Sequence, residues 1–294
     1  MNLRSWLFVP GDSEKKLSKA ADLGADAIIV DLEDSVAAPA KPAARELAAE
    51  WLAAHRDTPV VGGARFARWV RINPLDSAFW RDDLVAVMPA RPDGIVLPKA
   101  AGPAGLQQVA AELYELEQRH GVPTGTTRIA PLVSETAAAA LSIPAYVEAS
   151  LPRLAGLMWG AEDLSAAIGA SRKHGDDGNW SDTFRMVRAT VLLTAHARGI
   201  PAIDTLHADF RDEEGLARFA RAARADGFSG MLAIHPGQVA VINAAFTPSE
   251  ADLAGARAIV AAFAAEPDAG VVSLDGQMLD QPHLKLARRL LGEE

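Results

Sequence analysis

Cysteine is absent from this 294-residue chain. That excludes disulfides, thiolate metal sites and cysteine nucleophiles. No apolar stretch reaches the length of about 18 residues that a membrane-crossing helix needs, so no membrane partner is expected. Basic blocks are missing too, and the formal net charge is −9, which argues against nucleic acid as a partner. The apolar run within Met1–Pro10 is too short for a signal peptide and reads as a first strand, so a cytoplasmic protein is expected. A His-Glu-x-x-His pattern, a Walker loop and a Gly-x-Ser-x-Gly elbow are also lacking. The seven histidines are scattered, so zinc is not expected.

What is present is apolar and periodic. Hydrophobic residues make up 49% of the chain, enough for a large core. Short apolar runs, each the length of a buried strand, fall at Ser5–Val9, Ala27–Val30, Trp69–Ile72, Gly94–Leu97, Ile129–Val133, Leu154–Trp159, Pro201–Ile203 and Gly230–Ile234. Between them lie helical patterns at Ser13–Leu23 (with Ser13 as N-cap), Lys41–Ala54, Gly105–Gln118, Thr136–Glu148, Asp182–Ala197 and Glu213–Ala225. Gly121 and Gly199 follow two of these helices as C-caps. Eight strands alternating with helices predict an α/β fold, a (β/α)8 TIM barrel. A doubly wound sheet competes, but Pro10-Gly11-Asp12 lacks its glycine-rich phosphate turn. The barrel is expected to close near Val241, with Ser249–Ala264 packed on it. The expected division is therefore a barrel over 1–265 and a small lid-like extension over 266–294.

Residues just after the strands are unusually polar: Asp31, Glu33 and Asp34, then Arg71 and Asn73, Lys99, Glu135, Glu162 with Asp163, Asp204 with Thr205, and His235. A barrel brings all of these to one face. Each has an ordinary reading. Glu135 and Asp163 suit the first turn of a helix, Arg71 suits an ion pair, Lys99 a surface charge and His235 a packed ring. Together they suggest more: hard oxygen ligands for Mg²⁺ and a guanidinium able to clamp a carboxylate.

The ordered set Leu7-Phe-Val-Pro-Gly11, Asp31-Leu-Glu-Asp34-Ser35, Arg71-Ile-Asn73, Leu97-Pro-Lys99, Glu135-Thr136, Gly160-Ala-Glu-Asp163-Leu164, Ala202-Ile-Asp204-Thr205 and Ala233-Ile-His-Pro236 resembles the citrate lyase β-subunit-like proteins of the HpcH/HpaI aldolase superfamily. Malyl-CoA and citramalyl-CoA lyases are relatives. Asp275-Gly-Gln-Met-Leu-Asp280-Gln-Pro282 resembles the family's C-terminal motif. Two positions depart from the common pattern: Ala100-Ala101 follows Lys99 where an acid is usual, and Ser134 precedes Glu135.

The resemblance implies a Mg²⁺-dependent carbon–carbon lyase acting on a β-hydroxyacyl thioester that bears a carboxylate, with coenzyme A as part of the substrate. The products are an acyl-thioester and a 2-oxo acid. It implies Glu135 and Asp163 as metal ligands and Arg71 as the substrate-binding arginine. Asp280 is implied as an acid delivered from a neighbouring subunit, and Ile234 and Pro236 as backbone contacts to coenzyme A. A homotrimer or hexamer follows from the same source. Asp31, Glu33 and Asp34 are then expected to orient Arg71 and metal-bound water. Other readings stay open: an aldolase on free 2-oxo acids, a citrate lyase β subunit using an acyl-carrier thioester, and a non-catalytic metabolite-binding barrel.

Overall fold

Each apolar run becomes a strand and each amphipathic stretch a helix. The computed structural model describes residues 3–56 and 66–293. Its order is β1 (Ser5–Pro10), α1 (Glu14–Ala20), β2 (Ala27–Asp31), α2 (Lys41–Ala54), β3 (Ala67–Arg71), α3 (Trp80–Val87), β4 (Gly94–Leu97), α4 (Pro103–His120), β5 (Arg128–Pro131), α5 (Ala137–Ser142), β6 (Leu157–Met158), α6 (Ala161–Ile168), α7 (Asp182–Ala197), β7 (Ala202–Asp204), α8 (Glu213–Asp226), β8 (Gly230–Ala233) and α9 (Pro236–Phe246). Then follow α10 (Glu250–Ala265), β9 (Val271–Leu274), β10 (Gln277–Asp280) and α11 (Gln281–Leu291). The chain divides into compact units at 1–246 and 247–294. The helix expected to stay with the barrel up to 265 therefore groups with the C-terminal segment.

In the first unit all eight strands are parallel, in the order β5-β4-β3-β2-β1-β8-β7-β6. The remaining edge is stitched by parallel bridges Ile129↔Leu154 and Leu132↔Met158. There Val133 N–H donates to the Met158 carbonyl and Ala155 N–H to that of Ile129, both at 2.9 Å. The result is the expected TIM barrel.

Strand periodicity decides what goes inside, since alternate side chains face opposite ways. Ile28, Val30, Val70 and Ile95 face the helices. Trp6, Ile29, Trp69, Val96, Leu132, Met158, Ile203 and Leu232 form the barrel interior. Gly94 makes this packing possible: a Cβ there would sit 2.2 Å from the Trp69 ring. Trp6 and Trp69 meet with ring centroids 5.0 Å apart.

Several local expectations shift. Ser13 is extended at the head of α1, but its side chain makes no capping bond. Thr136 does cap α5, accepting from Ala139 N–H. The expected long helix to Glu148 gives way at Ile143–Tyr146 to a 3-10 turn containing Pro144. Gly121 (φ 60°) and Gly199 (φ 66°) adopt the left-handed conformation expected of helix ends.

The second unit has its own small core of Phe263, Val272, Leu279 and Leu284. Its hairpin β9–β10 turns at Asp275-Gly276, with φ 50° and 79°, the pair of positive dihedrals that a two-residue type I′ turn requires.

Candidate active site

The site begins as a continuation of the interior stripe. Ile29 and Trp69 point inward, so the inward positions one step further along β2 and β3 are Asp31 and Arg71. These two are register partners. The Arg71 Nε and Nη2 donate to the Asp31 oxygens Oδ1 and Oδ2, both at 2.7 Å. The guanidinium also lies 4.6 Å over the Phe8 ring. Burial alone would raise the Asp31 pKa, but Arg71 outweighs it and holds the carboxylate below its usual range. The same pairing pushes the Arg71 pKa up against its own burial.

Glu33 is buried and approaches the other side of Arg71, its Oε2 3.0 Å from Nη1. That oxygen accepts no hydrogen bond. Burial raises the Glu33 pKa, and Arg71 and Lys99 only partly offset it. Lys99 bonds the Glu33 Oε1 through Nζ and reaches Asp34 at 3.5 Å and Asp163 at 4.0 Å. Its backbone takes a left-handed φ of 50°, costly for a residue with a side chain. In that conformation its N–H donates to Glu135 Oε2 at 2.5 Å.

Glu135 is strongly perturbed. It is 3% exposed, and burial, then the neighbouring Asp163 charge, push its pKa up to about 8. Two further observations bear on a cation. Glu33 Oε2, ion-paired with Arg71 but accepting no hydrogen bond, keeps acceptor capacity. Gly160 keeps space open beside Glu135, because a Cβ there would come 3.2 Å from its Cγ and 3.3 Å from Oε1. Five carboxylates, Asp31, Glu33, Asp34, Glu135 and Asp163, gather around Arg71 and Lys99, with Lys41 also within the field of Asp31, Glu33 and Asp34. Residues of this kind fit Mg²⁺, which takes one or two protein carboxylates and completes its shell with water and substrate oxygens. Among the described residues no group of three or more His, Asp or Glu could hold a metal unaided.

Ile234 and Pro236 border a cleft of about 440 Å³ also lined by Phe8, Pro10, Ser13, Lys15, Lys16 and Lys19. Lys15 and Lys19 are four residues apart and share a face of α1. The cleft thus joins an apolar wall from β1 to a basic helix.

The structure brings Asp31, Glu33, Asp34, Arg71, Glu135 and Asp163 together, and sets Ile234 and Pro236 at the cleft. Asp204 does not join them. It lies in the outward phase after Ile203, accepting from Trp159 Nε1 at 2.6 Å and pairing with Arg188 at 2.8 Å. His235 stacks on Phe210. Asp280 heads α11 in the second unit, 2.5 Å from His283 Nδ1. Lys99 is more than the plain surface charge its sequence context suggests, because its role depends on a folded-back φ that no composition reveals. The lysines of α1 do not stand out among the strand-end residues, although their i, i+1, i+4 spacing is a readable signal.

The chain is similar along most of its length to several known proteins. The profile of the HpcH/HpaI aldolase/citrate lyase family matches residues 4–236. A citrate lyase subunit beta-like protein of Mycobacterium tuberculosis is 39% identical, covering 99% of this chain and 97% of its own. A (3S)-malyl-CoA thioesterase of Cereibacter sphaeroides is 35% identical, covering 99% and 94%. A solved CitE protein of Mycobacterium tuberculosis, in complex with magnesium, acetoacetate and coenzyme A, superimposes with a TM-score of 0.77 at 37% identity, covering 99% and 98%. A profile spanning most of the chain and relatives spanning nearly all of it show that this protein belongs to the HpcH/HpaI aldolase/citrate lyase family.

Proposed function

We propose that this protein is a Mg²⁺-dependent lyase that reversibly cleaves a 3-hydroxyacyl-CoA bearing a carboxylate into an acyl-CoA and a 2-oxo acid. The observation that carries the reading is Glu135, a buried carboxylate pushed up to about 8 beside Asp163 and within the field of Arg71. Mg²⁺ held by Glu135 and Asp163 would supply positive charge and Lewis acidity toward the oxygens of the 2-oxo acid moiety.

The rest falls to the chain's own groups. The carbon–carbon bond between C2 and C3 breaks, and its electron pair passes to C2 as a thioester enolate. The C3 hydroxyl gives up its proton as it becomes the carbonyl of the 2-oxo acid, and this loss balances the proton gained at C2, so no net proton is consumed. A proton delivered to C2 completes the acyl thioester. Arg71 spends two of its N–H groups on Asp31, leaving donors for the oxygen at C3, where charge develops. Asp31 and Glu33 hold that guanidinium in place, and Lys99 ties Glu33 to Glu135. We assign the proton transfer at C2 to Asp280, on the family resemblance. The lysine-lined cleft would take the phosphates of coenzyme A, with its apolar wall and the Ile234–Pro236 backbone along the pantetheine chain.

The thioester as substrate is also supported by the malyl-CoA relative and by the coenzyme A bound to CitE. The test is an assay of (S)-malyl-CoA and citramalyl-CoA with Mg²⁺ and with EDTA. Acetyl-CoA released together with glyoxylate or pyruvate, only with metal, is the expected result. Free coenzyme A and intact malate would identify a thioesterase instead, and no turnover of either ester would remove these substrates.

A further inference from the structure

Gln238 is 1% exposed although it stands in the first turn of α9. Its Oε1 accepts from the backbone N–H groups of Ile234 (2.9 Å) and His235 (3.2 Å). Its Nε2 donates to the carbonyl of His207 at 2.8 Å. The accepting half is ordinary helix capping, a side chain reaching back to the start of its helix. The donating half is not needed for a cap. It crosses from the end of β8 to the segment after β7, where a second link lies nearby: the Phe210 ring stacks on His235 with centroids 4.8 Å apart.

We infer that Gln238 is a positioning residue: it clamps the Ile234–Pro236 backbone to the segment after β7 and so shapes the cleft wall before ligand arrives. The inference rests on the reading of that cleft as the coenzyme A site. A buried amide whose carbonyl and NH2 ends both bond main chain has little freedom to shift without stranding three polar groups. The peptide groups it holds are those that border the cleft beside Phe8 and the α1 lysines.

Two variants separate clamp from cap. Q238M removes both halves. Q238E keeps the acceptor for Ile234 and His235 but sets a carboxylate oxygen against the His207 carbonyl. Coenzyme A binding by calorimetry and malyl-CoA kinetics would be measured for both and for the wild type, with melting curves to confirm folding. The clamp predicts that each variant raises Kd and KM about tenfold and keeps kcat within about twofold. A Q238E protein with wild-type Kd and KM would overturn it, since capping alone would then suffice. So would a fall in kcat at unchanged KM. If the wild type itself fails to bind coenzyme A, the cleft assignment is wrong and the inference falls with it.

Discussion

Two buried glutamates in this barrel behave in opposite ways. Glu117, on α4, is fully buried and fully satisfied. Arg153 donates to both its oxygens at 2.7 and 2.6 Å, and the N–H groups of Gly125 and Thr127 add bonds at 2.8 and 3.1 Å. Burial would raise its pKa, yet these partners hold it below the usual value. Glu135 lies just after β5. It has one N–H donor, from Lys99, and a second carboxylate for company. Its pKa rises to about 8. Both side chains are shielded from solvent, but one is completed by the fold, while the other lies deeper and is left with fewer partners. The first is an internal brace; the second is the carboxylate proposed above to hold Mg²⁺.

The contrast is broken most directly at Glu135. E135Q should lower Mg²⁺-dependent lyase turnover by about 10³-fold or more without lowering the melting temperature in EDTA. Wild-type turnover in E135Q would erase the distinction. E117Q should do the reverse. It strands the buried Arg153 charge and should cost about 3 kcal/mol in chemical denaturation, with turnover per folded molecule unchanged. R71K sharpens the site side: a lysine cannot hold Asp31 bidentately and still present donors, so kcat should fall by about 10²-fold. A full-rate R71K enzyme would remove the guanidinium from the chemistry.

The subtlest prediction is a pair of opposite pH slopes. Between the ordinary value of 4.5 and about 8, folded Glu135 keeps a proton that the unfolded chain has lost. Its contribution to metal-free stability therefore falls as pH rises across that window. Glu117, held below 4.5, contributes stability that is present above that value and lost as pH falls through its lowered pKa. Mg²⁺ must displace the Glu135 proton, so the thermal shift it produces should grow from pH 6 to about 8 and then level off. In E135Q that pH dependence should vanish; an unchanged pH profile would assign the effect to another group.

Much of this is legible in the amino-acid sequence. All eight strands and most helices follow from apolar periodicity, and the inward phase of Ile29 and Trp69 extends without further information to Asp31 and Arg71. The same parity, applied to Ile203, places Asp204 among the helices rather than in the site. Helices α3 and α9, and α6 beyond the first turn that Asp163 suggests, escape the periodic pattern. Of these, α6 and α9 begin almost directly after a strand, where polar side chains look like loop. Lys99 and Gln238 escape for a different reason. One acts through a left-handed backbone turn and the other through a bond to a residue 31 positions away, and neither leaves a local pattern.

The register of β2 against β3 carries a last implication. Asp31 and Arg71 face each other on the final rung of the ladder, and a slip of one residue turns every side chain of a strand to the opposite face. A barrel closed out of step would send Ile28 and Val30 inward and leave the guanidinium without its acid. Such a molecule loses its core and its chemistry in one error. Specific activity in a refolded sample should therefore count correctly closed barrels, making the enzyme a built-in reporter of its own assembly.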